Sequence, residues 1–211
     1  MDEILDALAW RYAVKKFDAA RKLSLEQIQL LKQAFNLTPT SYGLQPITLL
    51  VLQNAQVQEQ LLPYTYNQRQ VVDASHLLVL CIEKKIDAAY IDAYFERVKA
   101  ERGTPDDILN PFKASLIQRF SGMSDEAFTA WATNQAYLAL GNLITVCAQA
   151  RIDACPMEGF DPNGYRDILN LEAQGLYPVV LLPVGYRAED DRFAAFKKVR
   201  KDVAEAVKAI D

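Results

Sequence analysis

The chain has 211 residues, 51% hydrophobic and 24% charged, with 23 Lys and Arg against 27 Asp and Glu and a net charge of −4. That is the composition of an ordinary soluble globular chain, long enough for one domain (1–211) with a substantial core. The acidic balance argues against a nucleic-acid partner held by a broad basic face.

No apolar run reaches the roughly 20 residues that a membrane-spanning helix needs. The start MDEILDALAW is acidic, unlike the basic region of a signal peptide. No membrane partner and a cytoplasmic location are therefore expected. Cys81, Cys147 and Cys155 lie in apolar surroundings without metal-ligand spacing, so buried, reduced thiols and no metal are expected. The single histidine, His76, stands just before LLVLCI, where a structural role at a strand entrance outweighs catalysis.

In chain order, residues 3–10 have helical spacing with Ile4, Leu5, Leu8 and Ala9 on one face. Ser24 and Gln27 fit a capping box that opens a helix running to about Phe35. TPTSYGLQP (38–46) reads as a turn, ITLLVLQ (47–53) as a strand and 55–62 as a short helix. LLVLCI (77–82) has the continuous apolar character of a strand buried on both faces. Residues 86–100 and roughly 112–120 look helical, separated by the turn-rich ERGTPDDILNP. Ser124 opens a long helix to about Ala150, apolar nearly all round from Ala136 to Ala148 and so expected to be central and buried. Asp161-Pro162 starts another helix, YPVVLLPVG (177–185) is a second buried strand, and 191–210 is mostly helical in composition. Strands alternating with helices indicate an α/β or α+β fold around a modest central sheet.

Neither GxGxxG nor GxxxxGK[ST] is present, so side chains must hold any phosphate. Two basic clusters stand at opposite ends of the chain, Arg11–Lys15 in RYAVKKFD and Lys198–Arg200 in KKVRK. With TPTSYGLQP, PMEGFDP (156–162) and PVVLLPVGYR (178–187) between them, they read as a divided anion site with a flat ligand across its middle. Arg suits this through its planar, bidentate fork. Taken singly, each of Arg11, Lys198 and Arg200 reads more readily as a solvated surface charge.

An ordered set of segments resembles the oxygen-insensitive, FMN-dependent NAD(P)H nitroreductases, including their dihydropteridine reductase-like branch. RYAVKKFD is similar to that family's N-terminal basic segment, and TPTSYGLQP to its turn closing on Gln-Pro. DASHLLVLC, NQAYLALGN, PMEGFDP, VGYR and KVR follow in the family's order, from residue 11 to 200. The resemblance implies an α+β nitroreductase fold: a central, mostly antiparallel sheet flanked by helices, a long central helix, and a homodimer with FMN at its interface.

It further implies that Arg11, Lys198 and Arg200 face the FMN phosphate, with Tyr12 and Ala13 beside them. Thr40, Ser41 and Gly43 would come from the partner's turn, and Asn67 and Gln135 would hydrogen-bond the ring. Lys15 would stabilise the anionic reduced flavin. Pro156, Met157, Glu158 and Gly159 would pass over the ring, with N–H groups of Glu158 and Gly159 reaching it; Gly159 would permit close approach. Lys15 and Glu158 are the expected catalytic residues. Tyr42, Phe112 and Phe120, with Phe128 nearby, would line the substrate entrance, although core packing accounts for the three phenylalanines at least as well.

The implied activity is ping-pong hydride transfer from NAD(P)H through FMN to nitroaromatics, quinones or related acceptors. A flavin-storing or sensing protein with little turnover is the alternative. Four departures stand out: Gln70 where the family has a Lys, Ile47 where Trp is common, Tyr12-Ala13 in place of His-Ser, and a tail without the proline that often follows KVR.

Overall fold

Side chains that alternate across a strand build two cores, one on each face of the sheet. The computed structural model describes residues 2–210. Its elements are α1 (Asp2–Trp10), α2 (Leu25–Asn36), β1 (Ile47–Leu52), α3 (Ala55–Leu61), the single turn α4 (Gln70–Asp73), β2 (His76–Glu83), α5 (Ala88–Arg102), α6 (Asp106–Ser121), α7 (Asp125–Gln149), β3 (Asp153–Ala154), α8 (Pro162–Ile168), β4 (Leu176–Gly185) and the single turn α9 (Val203–Ala206).

The strands form one sheet in the order β1-β2-β4-β3, with every pairing antiparallel. Leu78, Leu80 and Ile82 of β2 pack with α2, α5, α6 and α7, while Leu77, Val79 and Cys81 pack with Leu61, Val71, Phe160 and Tyr165 on the other face. A strand covered on both faces has no use for polar alternation, hence the continuous run LLVLCI.

Local signals set the helix starts. Ser24 and Gln27 make the reciprocal capping box on α2, Ser124 accepts from Ala127 N–H to start α7, and Asp161 caps α8 with Pro162 in its first turn. His76 is the first residue of β2 and is buried. Its Nδ1 lies 2.9 Å from Ser75 Oγ, which itself accepts from Leu23 N–H. The three cysteines are free and buried, and burial pushes the Cys81 and Cys147 thiols up to about 12.

Several expectations need correction. In α1, Ala7 is the buried residue, while Ile4, Leu5 and Leu8 are exposed. The helix is amphipathic as read, yet the described residues leave Ile4, Leu5 and Leu8 uncovered. α6 begins at Asp106 and carries Pro111 inside it, so the proline read as a boundary costs one backbone hydrogen bond without ending the helix. α7 is buried on one face only: Ala136, Ala139, Leu140 and Leu143 face the core, whereas Tyr137, Leu138 and Gly141 are exposed. The tail has one three-ten turn at Arg192–Ala195 and the short α9, with exposed side chains from Phe193 onward. Val199, Val203, Val207 and Ile210 find no surface to bury against, and isolated short helices rich in β-branched residues do not sustain themselves.

Candidate functional site

The site begins at the β3 edge of the sheet. Ala13 bridges Ala154 in parallel, Phe17 bridges Arg187, and Met157 bridges Leu181, so RYAVKKFD and PMEGFDP are both laid against the β3–β4 end. Two buried carboxylates fix this region. Asp153 accepts from Arg187 N–H and Nε, each at 2.8 Å, and the Arg187 guanidinium stacks on the Trp10 and Tyr12 rings at 4.3 and 4.5 Å. Asp191 accepts from the Tyr12 hydroxyl at 2.9 Å and from the N–H groups of Lys15 (3.0 Å), Lys16 (3.2 Å) and Phe193 (3.1 Å). Burial alone would raise its pKa. The bonds from Lys15, Tyr12, Lys16 and Phe193 outweigh that and hold Asp191 below its usual value.

This framework brings the two ends of the chain together. Arg11, Tyr12, Ala13, Phe193, Phe196 and the run Lys197–Arg200 line a cleft of about 340 Å³. Lys198 Nζ donates to Arg11 O. No carboxylate lines the cleft, and Arg11, Lys198 and Arg200 form no ion pair among the described residues. The pKa values of Arg11 and Lys198 are both lowered, first by burial and then by neighbouring positive charge: Arg200 on Arg11, and Arg11 and Arg200 on Lys198. Uncompensated cations crowded in a partly buried cleft suit a dianionic group. Lys15 is exposed beside them; it and Arg11 partly oppose the rise that burial causes in the Cys155 thiol. The Tyr12 hydroxyl is committed to Asp191, with its pKa raised by burial and by that bond.

Backbone bonds hold PMEGFDP and the residue before it on both sides of its tip. Cys155 N–H donates to Pro183 O (3.0 Å), Met157 N–H to Leu181 O (2.9 Å), Phe160 N–H to Glu158 O (2.9 Å) and Asp161 N–H to Tyr64 O (2.7 Å). Pro156 has none. The N–H groups of Glu158 and Gly159 remain without an acceptor among the described residues. The Met157 side chain is buried in the core, so the segment offers its backbone to the outside there. A Cβ on Gly159 would meet only Gln68 Nε2, at 3.2 Å, so the packing of this chain alone makes little demand for a glycine. Asn67 is exposed and left-handed at φ 58, one residue before Gln68, which donates from Nε2 to Gly159 O at 3.1 Å. Gln70 is buried.

The remaining expected residues cluster elsewhere, and none of them lines the cleft. Gln135 Oε1 accepts from Ser41 N–H at 2.8 Å and its Nε2 donates to Trp131 O at 3.0 Å. Its amide is thus half engaged in anchoring the turn, which leaves one side-chain N–H and one acceptor lone pair for the ring-bonding role expected of it. Thr40 Oγ1 accepts from Gln45 N–H, and Tyr42, Gly43 and Gln45 are all left-handed, at φ 61, 71 and 48. Glycine suits position 43, where φ is 71 and a Cβ would displace the Tyr94 hydroxyl, 2.6 Å away. The turn presents Tyr42 to Phe112 and Phe120, each 6.3 Å away between ring centroids. Phe120 and Phe128 are buried and pack on Trp131, so they belong to the core; of these four aromatics, Tyr42 and Phe112 offer exposed surface.

Sequence reasoning missed Asp153, Asp191 and Arg187, which hold the cleft together, and Tyr137, whose hydroxyl donates to Glu158 Oε1 at 2.6 Å. Tyr137 stood within NQAYLALGN, but its partner is 21 residues away.

An antiparallel sheet between two helical layers, with a cationic cleft at one edge, defines an α+β protein of a restricted class. The chain belongs to the nitroreductase family, whose model matches residues 8–186. Bacillus subtilis YfkO, provisionally named an NAD(P)H nitroreductase, is 33% identical over 98% of this chain and 96% of its own. A Staphylococcus epidermidis relative with the same provisional name is 30% identical over 95% of this chain and 94% of its own. Among solved structures, a nitroreductase-like protein from Streptococcus mutans superposes with a TM-score of 0.85 at 25% identity, with full coverage of both chains. The FMN complex of a provisionally named nitroreductase from Exiguobacterium sibiricum gives 0.81 at 21% identity, over 98% of this chain and 97% of that one.

Proposed function

We propose that this protein is an FMN-dependent oxidoreductase that passes reducing equivalents from NAD(P)H to nitroaromatics, quinones or related acceptors by a ping-pong scheme. The observation that carries the reading is the meeting of Arg11, Lys198 and Arg200 in a cleft without a carboxylate. The two unengaged N–H groups at Glu158 and Gly159 add donors suited to the ring of a flavin. NAD(P)H nitroreductase names among the relatives, and FMN in a protein of the same fold, point the same way.

When bound, FMN would supply the chemistry, accepting hydride from NAD(P)H and delivering it to the acceptor. The protein's part is binding and electrostatics. Arg11, Lys198 and Arg200 hold the phosphate dianion, and Tyr12 and Ala13 form the wall. Asp191 keeps the Lys15 backbone in place, so that the Lys15 ammonium can favour negative charge on the reduced ring. Glu158 and Gly159 direct their N–H groups to the ring, and Tyr42 and Phe112 offer aromatic surface to flat acceptors. Hydride transfer requires no side-chain acid, in keeping with a lone histidine that is buried. A second copy of the chain would cover the exposed apolar side of α1, Leu138 on α7 and the valines of the tail. It would also bring the partner's Ser41 turn to the flavin.

Riboflavin, which lacks the phosphate, tests the assignment. Wild type should bind FMN far more tightly than riboflavin. Arg200→Ala and Lys198→Ala should each weaken FMN binding by about 10- to 100-fold, the worth of one charge-assisted contact, while leaving riboflavin binding unchanged. Equal losses for both ligands would remove the phosphate from this cleft.

A further inference from the structure

On the proposed-function reading, the N–H groups of Glu158 and Gly159 must hold their aim without help from their own hydrogen bonds. Each neighbouring N–H, from Cys155 to Asp161, is paired, but these two stand at the tip of the turn. Three contacts restrain the tip. Phe160 N–H closes it on Glu158 O at 2.9 Å, Gln68 Nε2 holds Gly159 O at 3.1 Å, and the Tyr137 hydroxyl holds the Glu158 carboxylate at 2.6 Å. Only the last ties the tip to α7, whose buried face is locked into the core through Ala136, Ala139 and Leu140.

Tyr137 lies on the open face of that helix, and packing alone gives it little reason to be a tyrosine, because the residue is 38% exposed. Burial of the phenol and its bond to Glu158 push its pKa up to about 12, so it stays a donor at any working pH.

We propose that Tyr137 is a positioning residue whose hydroxyl clamps Glu158, keeping the Glu158 and Gly159 N–H groups aimed at the flavin and taking up part of the carboxylate charge beside it. Both effects act in one direction. Fixed N–H donors favour negative charge on the reduced ring, and a carboxylate engaged by a phenol O–H repels that charge less. Release of the clamp therefore disfavours the reduced flavin twice over.

Tyr137→Phe keeps the ring and deletes the bond. Its bound FMN should lose about tenfold in preference for the reduced over the oxidised form, which makes the two-electron midpoint potential about 30 mV more negative, with FMN content retained. Glu158→Gln keeps an acceptor for the hydroxyl and removes the charge, so its potential should stay or rise. A flavin-free readout accompanies these. In the apoprotein, hydrogen exchange at the Phe160 amide should quicken in Tyr137→Phe and stay as in wild type in Glu158→Gln.

An unchanged potential together with unchanged exchange in Tyr137→Phe overturns the clamp. So does an equal fall in potential for both variants, since Glu158→Gln keeps an acceptor for the hydroxyl and removes the charge, and neither effect of the clamp lowers the potential there. Wild-type protein that takes up no FMN defeats the proposed function instead, and the exchange comparison still decides whether Tyr137 holds the tip.

Discussion

Lys15 and His76 show how environment decides what a single charged group does. Lys15 has an exposed side chain on a backbone pinned by Asp191, so its charge is displayed without being spent on an ion pair among the described residues. Lys15→Ala should slow anaerobic reduction of the flavin by about tenfold, the equivalent of about 1.4 kcal/mol in the barrier, with a smaller loss of FMN content. Equal loss of rate and content in stopped-flow and flavin assays would end that separation of roles. His76 is the only histidine, and its pKa is lowered by burial and then by Lys22 and Lys32. The unfolded chain therefore takes up a proton near pH 6.5 before the native one does. Stability that is complete above that pH should decline as the pH falls through it toward the lower native value. The single imidazole signal should titrate below 6.5 by NMR; a midpoint at or above 6.5 would contradict its burial. Asp191 has a depressed native pKa, so its contribution is present above the usual carboxylate range, near pH 4, and is lost as the pH falls below it.

Among the elements, those with local signals were legible and those that depend on distant partners were not. The capping box of Ser24 and Gln27 identifies α2 because both bonds lie within one turn. Ser24→Ala should cost about 1 kcal/mol, seen as a lower midpoint in denaturant with an unchanged slope. β2 and β4 were readable from continuous apolar runs, because sheets covered on both faces demand them. Leu80→Ala, at a fully buried position, should cost about 2–5 kcal/mol; a loss below 1 kcal/mol would mean that β2 is not central. The start of α6 was hidden by Pro111, since proline marks a boundary more often than an interior position. The tail reads as helical by composition, but Val199, Val203 and Val207 would need a surface that the described residues do not supply.

At the scale of the molecule, the candidate site was half visible. Arg11, Lys198 and Arg200 could be picked out as basic residues, and their place in an ordered set of motifs suggested a common role. Their meeting depends on β3, on the bridge between Ala13 and Ala154, and on Asp153 and Asp191, which reach Arg187 and Tyr12 across 34 and 179 residues. No local pattern announces such carboxylates, and the bond from Tyr137 to Glu158 was invisible for the same reason. The open faces of α1 and α7 carry a further expectation. On the proposed homodimer, Leu138→Asp, at a position 54% exposed in one chain, should shift the protein from dimer to monomer in sedimentation without unfolding it, and should lower FMN content if the partner's turn completes the site. A variant that sediments as wild type would place the interface elsewhere.

The absorbance spectrum of the purified protein, before and after NADH or NADPH is added without oxygen, tests the central claim most directly. The account predicts a yellow protein that bleaches with at least one of the two and recovers its colour when a quinone or nitroaromatic is added. A protein that stays colourless when supplied with FMN would contradict the phosphate site formed by Arg11, Lys198 and Arg200. A yellow protein that neither reductant bleaches would contradict the reductase and leave a flavin store or sensor in its place.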